Sequence, residues 1–400
     1  MSDPRRIVII GAGLGGATAA ATLRGRGYDG ELVVLGAEQH RPYELPPLSK
    51  GLLLGDTDEP DWVRDEGFYR EHGIDLRAGT SATHIDRGAR MVVDSNGDEH
   101  SFDRLLLATG SQPRMMPGAD QPGVRTLRTL DDSLALRGAF ATIERLVIIG
   151  AGWIGTEAAA AARRHGVDVT VVDQVAAPLL TVLGPEVAGV FQELHSENGV
   201  HWRLGTGVAG IEEGAVRLTD GTSLAADLVL VAVGAAPRVE LAHAAGFDLA
   251  DDGGVAVDAT LRTSAPEVYA VGDIASQFHP RYGKRVRVEH WANAKNQGEH
   301  VAANLLGGEE PYLRSPYFFS DQYSLGCEYR GLANVDTHRL VVRGDLAKRE
   351  FIAFWLRAGQ VTAAMNVNVW DAGDALKALV DGQVAVTPEQ LREADLPALA

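Results

Sequence analysis

Two glycine triplets share one spacing: Gly11-x-Gly13-x-x-Gly16 and Gly150-x-Gly152-x-x-Gly155. In such a turn the first glycine permits a tight bend and the second lets the backbone approach a pyrophosphate. The third lets a helix pack closely on a strand. The helix that follows offers unpaired N–H groups and about half a positive charge to the phosphates. An acid closing the next strand can accept from a ribose hydroxyl. Glu38 stands 22 residues after Gly16, and Asp173 stands 18 residues after Gly155. A carboxylate at Asp173 suits an adenosine 2′-hydroxyl and repels a 2′-phosphate. No Lys or Arg lies between Asp173 and Ala188 to receive such a phosphate, so NAD is favoured over NADP. The competing readings are glycine turns made only for packing and an ordinary strand-end acid. Two dinucleotide units suggest two dinucleotides, and a nicotinamide with a flavin is the natural pair, because a hydride can pass between them.

The elements that must hold these residues repeat as well. Residues 6–24 and 145–164 each run from a β-branched stretch through the glycine turn into an Ala-rich helix. Apolar strands follow at 31–35 and 167–172, giving two βαβ units. Further buried parallel strands are expected at 105–110, 228–234 and 268–273, each running into glycine or Gly-Asp. From about Ser315 the pattern changes to antiparallel strands at 339–342, 350–356 and 360–369. Turns are expected near Gly344 and Ala358-Gly359, and one helix at 371–380. The reading is an α/β body with an α+β tail.

The 400 residues allow two to three domains, and 45% hydrophobic with 23% charged residues fits a globular chain rather than a disordered, collagenous or coiled-coil one. A net charge of -17 disfavours broad nucleic-acid or anionic-membrane binding. The apolar run after Met1-Ser2-Asp3-Pro4 is too short for a secretory signal, and no stretch approaches the ~18 apolar residues of a membrane span. The single cysteine, Cys327, suits a reducing cytoplasm.

Several further motifs lie in order around the glycine turns: Pro46-Pro47-Leu48-Ser49-Lys50, Ala108-Thr109-Gly110-Ser111, Tyr269-Ala270-Val271-Gly272-Asp273 and Glu289-His290-Trp291. Ser320-Asp321-Gln322-Tyr323 follows in the tail. Over essentially its whole length the chain resembles the FAD-containing, NADH-dependent ferredoxin reductases of bacterial cytochrome P450 and ring-hydroxylating dioxygenase systems. Rubredoxin reductases and apoptosis-inducing factor share that fold. The resemblance implies a glutathione-reductase-like architecture of two Rossmann-like dinucleotide-binding domains and a C-terminal α+β domain. FAD would be held by 1–113 with 236–312, NAD by 114–235, and the tail would be 313–400.

The resemblance also implies residue roles. Gly11, Gly13, Gly16, Glu38, Arg41, Ala108, Thr109, Gly110, Asp273, Glu289 and Trp291 would contact FAD, with Asp273 on the ribityl chain. Gly150, Gly152, Ile154, Gly155, Asp173 and Gly234 would contact NAD. Lys50 would lie near the flavin N5 and pair with Glu157. An ammonium there stabilises an anionic reduced ring, and a buried Lys needs an acid partner; the competing reading is a structural ion pair. Leu45 replaces an Arg common in the family, and Tyr317-Phe318-Phe319 replaces a Trp-Phe-Trp run. Phe319 is then either an aromatic near the flavin or a core residue.

Dithiol flavoenzymes need a cysteine pair, and flavin peroxidases of this fold carry a cysteine soon after the first βαβ unit; this chain has neither. Cys327 reads as a small core residue. The twelve His show no HxxxH or HExxH spacing, so no metal site is expected. Electrons would leave the flavin directly, singly, to a [2Fe-2S] ferredoxin. The basic stretch Arg281, Lys284, Arg285 and Arg287 would dock this acidic partner, or form a solvated hairpin. Two other functions stay open: an NADH-dependent reductase of a quinone or monodehydroascorbate-like acceptor, and a redox-sensing interaction protein resembling apoptosis-inducing factor.

Overall fold

The computed structural model describes residues 4–399; Met1, Ser2 and Asp3, part of the N-terminal stretch read above, lie outside it, as does Ala400. The chain divides into two compact units. One comprises Met1–Leu45, Pro60–Gln112 and Ala235–Arg314; the other comprises Pro46–Glu59, Pro113–Gly234 and Ser315–Ala400.

The first unit is built on a parallel sheet in the order Val268–Ala270, Arg104–Leu107, Arg6–Ile10, Glu31–Gly36, Ile74–Ala78. Its central strands are unbroken runs of Ile, Val and Leu because both faces are covered: Ile7, Val8, Ile9, Leu105 and Leu106 are fully buried. The helix Leu14–Gly25 leaves the first glycine turn, and the long helix Trp291–Leu305 packs against it. A hairpin of Ala275–His279 and Lys284–Val286 carries the basic stretch.

The second unit repeats the theme, with a parallel sheet ordered Val200–Leu204, Asp168–Asp173, Arg145–Ile149, Leu228–Val231, Val124–Arg125. The helices Trp153–Arg164 and Pro185–Glu197 belong to it. The tail forms an antiparallel sheet ordered Tyr317–Gln322, Leu325–Gly331, Gln360–Val367, Glu350–Arg357, Arg339–Asp345. One face of this sheet packs through Leu325, Tyr329 and Trp355 on Phe191 and Leu194 of the helix Pro185–Glu197. The other covers Leu376, Leu379 and Leu391 from the helices Gly373–Asp381 and Pro388–Glu393.

The expected tail strands and helix are present, and Ala358 and Gly359 make the expected hairpin turn with φ of 51° and 81°. The turn expected near Gly344 falls at 346–349, and Gly344 itself lies just before it in the strand Arg339–Asp345, where a Cβ would sit 2.5 Å from the Glu350 carbonyl oxygen. One difference stands out. The two strands Tyr317–Gln322 and Leu325–Gly331 were not read individually from sequence, because the inward residues of the first include Ser320 and Gln322.

Candidate functional site

In the first unit the strand Arg6–Ile10 ends in Gly11, at φ 114°. A Cβ on Gly11 would lie 2.1 Å from the Ala108 carbonyl oxygen, and one on Gly16 would lie 2.0 Å from that of Gly11. Both positions therefore exclude any side chain. Gly13 differs: a Cβ there would meet nothing within 4 Å among the described residues. Gly13 caps the helix Leu14–Gly25 without a side-chain hydrogen bond or an acid in the first turn. The helix thus presents uncapped N–H groups to open space, the arrangement an anionic pyrophosphate fills.

Glu38 is exposed beyond the next strand and accepts a hydrogen bond from the Tyr43 hydroxyl at 2.5 Å. Arg41 lies 4.2 Å above the Trp62 ring, whose edge contacts Tyr43. Tyr43 and Trp62 thus shape the surroundings of both predicted residues, and sequence reading passed them over. Ala108, Thr109 and Gly110 continue the strand Arg104–Leu107. The Thr109 hydroxyl donates to the Arg238 carbonyl at 2.8 Å, and the Gly110 carbonyl accepts from the Arg238 N–H at 3.0 Å.

Asp273 is 7% exposed, and its Oδ2 accepts from the Ser111 hydroxyl at 2.6 Å. The preceding Gly272 N–H donates to Gln297 Oε1 at 2.8 Å, fixing this turn to the long helix. Arg287 donates to the Asp273 carbonyl and to Glu289. Trp291 opens the long helix, and its indole N–H donates to Glu44. Half-buried His290 precedes it, and burial pushes its pKa down to about 4, so a neutral ring stands at this helix end. In the basic hairpin, Arg285 donates to the Val257 and Ser276 carbonyls and Arg281 to that of Leu313. Lys284 is exposed.

The second unit reproduces the first turn atom for atom in its logic. Gly150 has φ 112°, and its Cβ would lie 2.3 Å from the Ala232 oxygen; that of Gly155 would lie 2.0 Å from the Gly150 oxygen. Gly152 again faces open space among the described residues and caps the helix Trp153–Arg164 without a side-chain bond. Asp173 accepts from the N–H of Ala151 at 2.7 Å and of Val175 at 3.1 Å. It therefore braces the glycine turn itself, and each oxygen retains a lone pair for a hydroxyl. Ile154 and Val233 are 42% and 40% exposed, an apolar lip beside Gly152 and Gly234.

Also in the second unit, Lys50 and Glu157 meet. Lys50 Nζ donates to both Glu157 oxygens at 2.8 Å, with side chains only 15% and 4% exposed. Ser49 and Ser320 also donate to Glu157, the latter at 2.6 Å. The carboxylate thus has four donor contacts, the satisfaction a buried ion pair requires. Lys50 Nζ stands 5.3 Å over the Phe319 ring. Cys327 is buried, and burial pushes its thiol well above the ordinary range, so it stays protonated and inert. No group of three or more potential metal ligands occurs among the described residues, and none of their helices is long and apolar enough to cross a membrane.

Comparison with known proteins agrees with this geometry. Residues 5–298 match the family of pyridine nucleotide-disulphide oxidoreductases, and residues 317–399 match the reductase C-terminal domain. The ferredoxin–NAD(+) reductase component of the anthranilate 1,2-dioxygenase system of Burkholderia cepacia is 39% identical, over 98% of this chain and 97% of its own. The ferredoxin reductase for the CYP199A2 system of Rhodopseudomonas palustris has a TM-score of 0.95 at 36% identity, covering 99% of this chain and all 100% of its own. Putidaredoxin reductase, solved as a covalent complex with putidaredoxin, has a TM-score of 0.92 at 36% identity, over 98% and 96%. The chain belongs to the pyridine nucleotide-disulphide oxidoreductase family and, within it, to the ferredoxin–NAD(+) reductases.

Proposed function

We propose that this protein is an FAD-containing, NADH-dependent reductase that passes single electrons to a [2Fe-2S] ferredoxin serving a P450 or ring-hydroxylating dioxygenase. The observation that carries the reading is the pair of uncapped helix N-termini at Gly13 and Gly152, joined in one chain with the buried Lys50–Glu157 pair. The named relatives support the partner class, one of them having been captured with its ferredoxin.

The donor set fits both dinucleotides. FAD would be held by 1–113 with 236–312, through Gly11, Gly13, Gly16, Glu38, Arg41, Ala108, Thr109, Gly110, Asp273, Glu289 and Trp291. NAD would be held by 114–235, through Gly150, Gly152, Ile154, Gly155, Asp173 and Gly234. When bound, FAD supplies the conversion of a two-electron donor into single electrons. Asp273, held by the Ser111 hydroxyl, would accept from a ribityl hydroxyl. Lys50, its ammonium positioned by Glu157, would supply a positive charge to the negative charge that reduction builds on the flavin. Ile154 and Val233 exclude water beside the second turn. Cys327, a lone buried thiol, takes no part.

The ferredoxin would dock near Arg281, Lys284, Arg285 and Arg287. Arg287 is paired with Glu289, whereas Arg281 and Arg285 donate only to backbone carbonyls and keep their charge, so these two would act with exposed Lys284 on an acidic partner. The lone reduced cysteine favours a cytoplasmic site of action. The test is anaerobic stopped-flow reduction of the yellow protein by NADH and by NADPH, followed by mixing with acidic two-iron ferredoxins from the same genome. Fast bleaching with NADH, slow bleaching with NADPH and rapid ferredoxin reduction are expected. Fast bleaching with no ferredoxin reduced, while a quinone is turned over, would overturn the partner assignment.

A further inference from the structure

The tail motif Ser320-Asp321-Gln322-Tyr323 has so far contributed only its serine, yet Gln322 is 1% exposed, and His195 behind it is fully buried. His195 Nε2 lies 2.7 Å from Gln322 Oε1, Gln322 Nε2 lies 3.0 Å from Ser320 Oγ, and Ser320 Oγ lies 2.6 Å from Glu157 Oε1. These four side chains all belong to the second unit and come from the helix Pro185–Glu197, the strand Tyr317–Gln322 and the helix Trp153–Arg164.

The direction of every hydrogen bond follows from the chemistry of its ends. A carboxylate only accepts, so the Ser320 hydroxyl must donate to Glu157. Ser320 Oγ is then free to accept, and the Gln322 amide must present its NH₂ there. The reverse amide orientation would turn the Ser320 hydroxyl away from a carboxylate 2.6 Å distant. Gln322 Oε1 therefore faces His195, whose Nε2 must carry the proton. His195 Nδ1 is left bare, and it has no hydrogen-bond partner among the described residues.

We propose that Gln322 is a positioning residue: it fixes a one-way hydrogen-bond chain, His195 to Gln322 to Ser320 to Glu157, that sets how much of the Glu157 charge is left for Lys50. The surroundings keep the chain in this state. His195 is edged by the rings of Tyr323 and Trp202, and burial pushes its pKa down to about 4, so it remains neutral. The titratable groups facing Glu157 are Lys50, Asp321 and Cys327; burial raises both Asp321 and Cys327, and the buried Cys327 thiol stays protonated. Removing the Ser320 donor leaves Glu157 bound more tightly by Lys50, and the ammonium's outward field weakens. For the flavin this inference rests on the reading that Lys50 lies beside the ring; for His195 it does not.

Two measurements on the holoenzyme test it. Ring ¹⁵N spectra of His195, assigned by comparison with His195→Gln, should show Nε2 protonated and Nδ1 bare at neutral pH. In Gln322→Glu the amide donor becomes a carboxylate, and His195 should titrate between pH 5 and 8. The midpoint potential of the bound flavin should fall in Ser320→Ala and in Gln322→Leu, by threefold to tenfold in the two-electron equilibrium, up to ~30 mV. Lys50→Met is the reference variant. A potential that moves in Lys50→Met but not in Ser320→Ala or Gln322→Leu overturns the chain's role. If Lys50→Met leaves the potential alone, the placement of Lys50 fails instead, and the His195 spectra then decide the chain. A wild-type His195 protonated on Nδ1 overturns the chain, whatever the variants do.

Discussion

Gly152→Ala and Gly155→Ala sit three residues apart in one turn, and the structure assigns them opposite consequences. The Gly155 Cβ would lie 2.0 Å from the Gly150 carbonyl oxygen, and that contact is backbone on both sides, so neither partner can rotate away. The helix Trp153–Arg164 must move off the strand Arg145–Ile149, at an overpacking cost of about 1–3 kcal/mol or more. Gly152 has φ -81°, ordinary for alanine, and a Cβ there meets nothing within 4 Å among the described residues. The loss of stability should be roughly 0.5–1 kcal/mol, from the poorer helix cap. A methyl at Gly152 does, however, occupy the space through which a pyrophosphate approaches the uncapped N–H groups. Losing that approach should weaken NADH at least tenfold, about 1.4 kcal/mol. Urea denaturation of each holoenzyme, paired with NADH titration under anaerobic conditions, reads both quantities. Gly152→Ala should fold like the parent and bind NADH poorly. Gly155→Ala should lose stability first. An unchanged NADH affinity in Gly152→Ala would refute the assignment of this turn to the nicotinamide dinucleotide.

Three further predictions are independent of that one. Asp173→Asn removes the charge that repels a 2′-phosphate while keeping an acceptor for the turn, so the NADPH-to-NADH ratio of kcat/KM should rise about tenfold; an unchanged ratio contradicts the role given to Asp173. Lys284→Glu should lower ferredoxin turnover relative to ferricyanide turnover and flatten its salt dependence, whereas Arg285→Glu should also destabilise the hairpin by freeing the Val257 and Ser276 carbonyls. His195 and His290 are held neutral with pKa values near 4, below the unfolded value of about 6.5. Their stabilisation is present above pH 6.5 and is lost as pH falls toward 4, worth about 3 kcal/mol for fully buried His195. The urea midpoint should drop across that window, and less steeply in His195→Gln.

The parts of this protein that were legible in the sequence are those whose physics is local. A glycine turn between an apolar strand and an Ala-rich helix carries its own explanation, and both copies folded as read. The tail's first strand was not legible as a strand, because Tyr317–Gln322 places Ser320 and Gln322 on its buried positions and so breaks the apolar alternation that marks a strand. Those two residues are inward because their partners are polar, and the partners lie far away in sequence: 163 residues separate Ser320 from Glu157, and 127 separate Gln322 from His195. No periodicity reports such a pair. Gly344 pointed to the turn at 346–349 although it is not part of it: it stands in the strand before it and admits the neighbouring Glu350 carbonyl. The basic stretch was open as a docking patch or a solvated hairpin, and in the fold Arg281 and Arg285 are tied to carbonyls of their own unit, which fixes their positions and leaves their charge. Charge counted along a chain does not say which side chains the fold has already tied down. The same holds for Asp173, which was placed by its spacing for a ribose and is seen bracing the turn that would hold the pyrophosphate. One carboxylate can do both, because the glycine turn takes one lone pair of Oδ2 and the nearby Val175 N–H one of Oδ1, and a residue so fixed offers the ribose an acceptor that is already oriented.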